Sequence, residues 1–299
     1  MWAAIDFTTL FMILIFWQMF GQNYKRKMTM RFSPFAIAII NIDGVIKHGT
    51  DERSPYPFTW AALREVLMLR PKGLILRINS PGGTVGASQE LYSIINKIRE
   101  NGTAVVALME DVAASGGLYV AMAAGHIIAH PGTITGSIGV IMQSMEYSAL
   151  LERWQLKVNT IKSGKHKDIL SPARPMTEGD RELLNKTVMN VYEQFRDTVA
   201  ERRHLTTEQV ESFADGRIFS GKEALELQLV DEVGFFESAV EKIGGIAKFH
   251  PRQARFVLYH KRRGLFGGGA SMRSILSGVN RIIPDADLNG LPLWLMPGK

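Results

Sequence analysis

Two apolar runs, each breaking on a glycine-bearing turn, constrain this chain most. Gly73-Leu-Ile-Leu-Arg-Ile78 reads as a short buried strand that enters the dense turn punctuation of Asn79-Ser-Pro-Gly-Gly-Thr84. Val85 to Glu100 follows as a helix, with Leu91, Ile94, Ile95 and Ile98 on one face. The next strand, Thr103 to Met109, delivers the chain into Glu110-Asp-Val-Ala-Ala-Ser-Gly-Gly117, and Leu118 to Ala124 reads as a buried small-residue helix. Strands alternating with helices predict an α/β fold of βαβ units, with a parallel sheet covered on both faces. Sites in such sheets gather at the carboxyl ends of strands, where both glycine turns fall.

The remaining segments extend the pattern. Phe35 to Ile46 is a β-branched strand and Phe58 to Arg70 a helix. His126 to Ala129 is a short strand, and Thr135 to Met142 a glycine-punctuated apolar segment. Tyr147 to Trp154 is expected as a short helix and Lys157 to Lys162 as a strand leading into Ser163-Gly-Lys-His-Lys-Asp168. Thr177 to Arg203 is a long amphipathic helix, with Leu184, Val188, Val191, Phe195 and Val199 at helical spacing. Asp215 to Leu225 reads as a turn followed by a helix.

Ser115 sits where a strand turns into a helix. There a hydroxyl can serve as a nucleophile beside unpaired N–H groups, or simply as a helix cap. A serine nucleophile needs a base, usually histidine oriented by a carboxylate. His126 opens an apolar strand and His130 precedes Pro131, so both read as structural, and His48 carries no signal. His166, His204, His250 and His260 remain as candidates. Lysine is the other option, and it needs burial or neighbouring groups to bring its pKa from ~10.4 towards ~7. The loop at 162–168 offers Lys162, Lys165 and Lys167, and local reading does not choose among them.

Composition bears on the ends of the chain. The run Trp2 to Phe20 is apolar apart from Asp6, Thr8, Thr9 and Gln18. As a helix rising ~1.5 Å per residue it would extend ~28 Å, enough to span a bilayer core. With no basic stretch before it and no A-x-A-like site after it, an uncleaved single-pass anchor is favoured over a signal peptide. Lys25-Arg26-Lys27 and Arg31 would place the main domain on the cytoplasmic side. Lys248, Arg252, Arg255, Lys261, Arg262 and Arg263 form a second basic group, read as membrane-facing or solvated rather than as a nucleic-acid surface. The chain has no cysteine, which excludes disulfides, thiolate catalysis and cysteine-held metals.

Five segments together resemble the signal peptide peptidase A family: Arg77-Ile-Asn-Ser-Pro-Gly-Gly83, Asp111-Val-Ala-Ala-Ser-Gly-Gly-Leu-Tyr119, Thr135-Gly-Ser-Ile-Gly-Val-Ile141, Ile161-Lys-Ser-Gly-Lys-His-Lys-Asp168 and Asp215-Gly-Arg-Ile-Phe-Ser-Gly221. The resemblance implies a Clp/crotonase-like fold and a membrane-bound serine endopeptidase with a Ser-Lys dyad. Its substrates would be hydrophobic, extended peptides such as remnant signal peptides. By position, Ser115 is the implied nucleophile, Lys167 the base and Ser137 the residue orienting it, with Gly83 and Gly116 forming the oxyanion hole. Lys162 and Lys165 are then read as solvated. No cofactor, metal or nucleic-acid partner is expected. Half-length members form ring- or dome-shaped homo-oligomers in which serine and lysine can come from adjacent subunits. The expected organisation is an anchor at 1–22, a linker at 23–34, the peptidase domain at 35–250 and a basic, then Gly/Pro-rich tail at 251–299. The family commonly works on the outer side of the cytoplasmic membrane, so the side is left open. The competing functions are a crotonase-like acyl-CoA enzyme and an inactive membrane scaffold of the same fold.

Overall fold

The computed structural model describes residues 28–30, 33–49, 55–259 and 293–295. The expected anchor lies outside the described residues, as does most of the tail. Among the described residues no helix is long and apolar enough to cross a membrane.

The elements follow in the order β1 (Ala36–Asp43), α1 (Tyr56–Leu69), β2 (Gly73–Ser80), β3 (Gly82–Thr84), α2 (Val85–Glu100), β4 (Ala104–Ala114) and α3 (Gly116–Ala121). Then come β5 (His126–Ala129), β6 (Ile134–Gly136), α4 (Ser148–Arg153), α5 (Glu178–Arg203) and α6 (Thr207–Glu211). The last are β7 (Ile218–Ser220), α7 (Gly221–Glu226), β8 (Glu232–Val233), α8 (Phe236–Ala247), β9 (Arg255–Tyr259) and β10 (Leu293–Leu295). The main sheet runs β7-β6-β4-β2-β1-β9, with β5 pairing β4 and carrying β8. Its pairings are parallel except for β6 with β7, so the fold is α/β with a mostly parallel sheet.

The strands read as near-continuous apolar runs because both faces are covered. Period-two alternation sorts them into two layers. Ala38, Ile40 and Ile42 of β1, Leu74, Leu76 and Ile78 of β2, and Val105, Ala107 and Met109 of β4 join the larger core. That core includes α1, α2, α3 and the C-terminal half of α5. Ile37, Ile39, Ile75, Val106 and Leu108 face the other way, against Ala239, Val240 and Ile243 of α8.

Three sequence expectations change. The strand expected at 157–162 does not form, and those residues are exposed and irregular. Val158, Thr160 and Ile161 have strand-forming side chains, but a strand needs a ladder partner, and the segment pairs with none of the described strands. The glycine turn at 79–84 contains a short strand of its own, β3. The sheet also continues past position 250, because β9 pairs in parallel with β1 from Ala36↔Arg255 to Ile40↔Tyr259.

Helix α3 is wholly buried, and α5 ties off its end. Arg202 Nε donates to the Met122 carbonyl at 2.7 Å and Nη2 to that of Ala124 at 2.9 Å. These carbonyls lie at the C-terminal end of α3, where the helix supplies no partner. Replacing Arg202 with Ala should therefore cost about 2–3 kcal/mol in urea-induced unfolding, the scale of charge-assisted hydrogen bonds. Arg202→Lys should recover part of that loss, whereas an unchanged urea midpoint in Arg202→Ala would show that the end of α3 is held by packing alone.

Candidate active site

Strand β4 runs five residues beyond its expected end and stops directly before Ser115. Along the way it changes partner. Val106 to Met109 pair with β5, whereas Val112 to Ala114 pair with β6, and a register shift separates Ile78↔Met109 from Ser80↔Ala113. The handover sets Ala114 opposite Gly136. The Ser115 N–H then donates to the Gly136 carbonyl at 2.8 Å, and the Ser137 N–H to that of Arg217 at 2.7 Å. Ser115 and Ser137, far apart in sequence, thus leave paired strands side by side.

Both serines have backbone angles that an L-residue seldom adopts. The described non-glycine residues with positive φ are Arg70, Ser115, Ser137, Gln155, His204, Gln228 and Lys248. Arg70, Gln155, His204, Gln228 and Lys248 lie at or just past the C-terminal end of a helix, where the left-handed conformation is ordinary. Only Ser115 and Ser137, both at φ 51°, lack that explanation. At Ser115, ψ is −117°, which holds the side chain on a sharp strand-to-helix corner. Such strain costs on the order of 1–3 kcal/mol and collects at functional sites.

The capping alternative for Ser115 does not hold. Its side chain makes no cap hydrogen bond, the residue is fully buried, and Oγ has no partner among the described residues. An unpaired buried hydroxyl is costly and calls for an explanation. Helix α3 has six residues, so the electrostatics here rest on individual N–H groups rather than on a long helix dipole.

The two glycine turns meet at this corner. A Cβ on Gly116 would fall 3.1 Å from the Gly83 nitrogen and 2.6 Å from Ser88 Oγ, and one on Gly83 would fall 1.8 Å from the Ile46 carbonyl oxygen. Only glycine fits at either position. Ile46 N–H donates to Gly82 O and Thr84 N–H to Ile46 O, both at 2.8 Å, so the backbone around Ile46 braces β3. Strand β10 pairs antiparallel with β3, with Trp294 opposite Gly83. An extended segment therefore lies along the glycine strand beside the serine.

Ser115, Ser137, Gly83 and Gly116 are brought together; Lys167 is not joined to them. It is exposed in the turn region 163–170, where its N–H donates to the Gly164 carbonyl at 3.2 Å. Lys162, expected to be solvated, instead pairs with Asp168 at 2.6 Å. Sequence reasoning also missed the ionic frame around this turn. Arg174 reaches Asp168 at 3.0 Å and Asp180 at 2.8 Å, and His166 Nδ1 lies 3.0 Å from Asp180 Oδ1. The hydrogen bond from Arg174, then that from Lys162, pulls the Asp168 carboxyl down to about 2. The hydrogen bond from Arg174, then that from His166, holds Asp180 well below the usual carboxylate range. The Thr177-x-x-Asp180 spacing, an N-terminal capping pattern, was the one available signal.

The histidines have other places. His126 is buried between Asp231 and Glu232, at 3.5 and 3.4 Å, and His130 packs on Phe235. His48 bonds Glu90 at 2.9 Å. His204 ends α5 and His250 caps the turn at Pro251–Gln253, while His260 lies outside the described residues.

The backbone at Ser115 makes a stability prediction. Ser115→Gly should be more stable than Ser115→Ala by about 1 kcal/mol in urea unfolding, because glycine takes the positive φ without strain. Equal or greater stability of the alanine variant would mean that the corner is not strained.

Comparison with known proteins gives one consistent family. The model of Peptidase family S49 matches residues 97–248. A Synechocystis sp. protein carrying a protease name is 38% identical over 269 residues, covering 87% of this chain and 95% of the relative. The Arabidopsis thaliana protein named serine protease SPPA, chloroplastic, is 35% identical over 223 residues, 74% of this chain and 32% of that longer relative. An Enterococcus faecium protein carrying the name signal peptide peptidase SppA is 38% identical over 172 residues, 58% of this chain and 50% of the relative. The matched region contains the serine corner, the Lys167 turn and α5, and the chain belongs to Peptidase family S49, a family of serine proteases.

Proposed function

We propose that this chain is a membrane-anchored serine endopeptidase of Clp/crotonase-like fold that cleaves hydrophobic, extended peptides such as remnant signal peptides. One observation carries this reading: the buried hydroxyl of Ser115, without a partner on a strained corner, beside two glycines whose positions admit no side chain. Ser115 Oγ attacks the scissile carbonyl carbon while the neutral Lys167 amine takes its proton. The Gly83 and Gly116 N–H groups receive the developing oxyanion, each such donor being worth roughly 3–4 kcal/mol. Collapse breaks the C–N bond, the amine product leaves with the proton from the Lys167 ammonium, and water then hydrolyses the acyl-enzyme. Ser137 orients the lysine.

Two features support the substrate class. The pairing of β10 along β3 supports recognition of an extended strand by backbone hydrogen bonds. A groove of about 770 Å³ is lined by Met142, Met145, Leu170, Met176, Leu184 and Val188, between the segment after Ser137 and the segment after Lys167. Methionine-rich apolar surfaces adapt to varied hydrophobic side chains. The apolar run in the first 22 residues supports a single-pass anchor in the cell membrane.

The separation of the two catalytic groups supports a homo-oligomeric ring in which Lys167 serves the Ser115 of a neighbouring copy. A lysine base needs enclosure, and Lys167 is exposed in the single chain. Trp154, Leu156, Val158 and Ile161 on the same excursion are exposed too, an apolar surface suited to a neighbour. An acyl-CoA enzyme or an inactive scaffold would leave the strained Ser115 without a role.

Ser115→Ala and Lys167→Ala should each lower peptide cleavage by about 10³-fold or more without unfolding the protein. Co-assembling the two inactive variants in equal amounts should restore about a quarter of the wild-type rate, the share of interfaces that random mixing leaves with both groups. No recovery in the mixture would place serine and lysine in one chain, and full activity of Lys167→Ala would remove the dyad.

A further inference from the structure

The frame around the lysine turn has a geometry that packing alone does not require. Lys167 stands between His166 and Asp168, and each of these neighbours is tied back to the start of α5. His166 Nδ1 meets Asp180 Oδ1 at 3.0 Å. Asp168 Oδ1 accepts from Arg174 Nη2 at 3.0 Å and from Lys162 Nζ at 2.6 Å. The Asp168 carbonyl accepts from Arg174 Nη2 as well, at 3.2 Å. Arg174 Nη1 closes the ring on Asp180 Oδ2 at 2.8 Å. Asp180 itself is buried, at 2% exposure, and also accepts from the Thr177 N–H at 3.2 Å. An exposed turn is thus clamped on both sides of one residue, Lys167, whose ammonium has no hydrogen bond or ion pair among the described residues.

We propose that Asp180 and Arg174 are positioning residues for catalysis: bridging through His166 and Asp168, they hold the backbone of Lys167 in the one place from which its amine reaches the nucleophile. This rests on the reading of Lys167 as the base. The clamp does two physical things. It engages the carboxylates of Asp168 and Asp180 in pairs with Arg174, Lys162 and His166. It also fixes the turn against α5, a 26-residue helix anchored in the core by Phe195 and Val199. Arg174 is suited to this because its rigid planar fork presents separate N–H groups to the two carboxylates, a geometry that the single ammonium of lysine does not reproduce. A misplacement of about 1 Å at such a base can cost on the order of 10²-fold in rate.

The experiment is a kinetic comparison of the full-length, detergent-solubilised Arg174→Ala, Arg174→Lys and Asp180→Asn variants on a hydrophobic peptide. The active fraction is counted by titration with a serine-reactive acylating probe, and the oligomeric state by light scattering. Arg174→Ala and Asp180→Asn should lower kcat per active site by about 30- to 100-fold with KM within about twofold. Arg174→Ala, which leaves the Asp168 and Asp180 carboxylates without their arginine, should also move the alkaline rise of kcat/KM to higher pH, whereas Asp180→Asn, which removes a carboxylate, should not. Arg174→Lys should fall between these variants and the wild type. Thr206→Ala, which removes a helix cap of the same kind at the start of α6, should lower stability without changing kcat or the pH profile. If Arg174→Ala and Asp180→Asn keep the wild-type kcat per active site and pH profile while Lys167→Ala is inactive, the positioning role is overturned and the dyad stands. If Lys167→Ala is itself fully active, the dyad and the clamp fall together.

Discussion

The pairing of the last residues of β4 with β6 is the contact on which the rest of the site depends. It sets Ala114 opposite Gly136 and so brings Ser115 beside Ser137. Because β4 has just left β5, its end is free to turn sharply, and the Ser115 N–H is still held by the Gly136 carbonyl. The strain at both serines persists because the surroundings are rigid. Helix α3 is buried behind one, capped by Arg202, and the residue before β7 braces the other, the Arg217 carbonyl accepting from the Ser137 N–H. A fold with a looser end to β4 would relax both positive-φ residues and lose the juxtaposition.

The proposed nucleophile and the proposed base live in different mechanical settings. Ser115 is fully buried just past the end of β4, whereas Lys167 stands on an exposed excursion tied through Arg174 to Asp180 at the start of α5. The first setting provides strain and desolvation; the second provides reach. Such a division suits an enzyme assembled from copies, since the exposed half of one chain can complete the buried half of the next. On the proposed reading no histidine takes part in the chemistry. The described histidines near carboxylates, His126 and His166 among them, are parts of structural locks.

Much of this was legible in the sequence, for identifiable reasons. The strand-turn-helix succession at 73–100 and 103–124 carries its own periodicity and punctuation, so the sheet and the position of Ser115 could be read directly. The amphipathic spacing of α5 and its Thr177-x-x-Asp180 start were equally readable. What escaped depends on partners. Val158 and Ile161 look like strand residues until no neighbour supplies a ladder. β9 hides in a basic tail because its place is fixed by β1, not by its own composition. The positive φ at Ser115 and Ser137 left no mark, since glycine is the usual signal of that conformation and serine stands there instead. Lys167 was chosen among three nearby lysines by resemblance alone, and the clamp that distinguishes it forms only when α5 is packed in place.

The central claim is that Ser115 is a nucleophile activated by Lys167, and the most direct measurement is the site and rate of covalent acylation. Incubation with a serine-reactive fluorophosphonate, followed by peptide mapping by mass spectrometry, should place a single adduct on the peptide containing Ser115. The labelling rate should rise with pH in the wild type and collapse in Lys167→Ala. An adduct on another residue, or labelling of Ser115 at the wild-type rate without Lys167, would contradict the account.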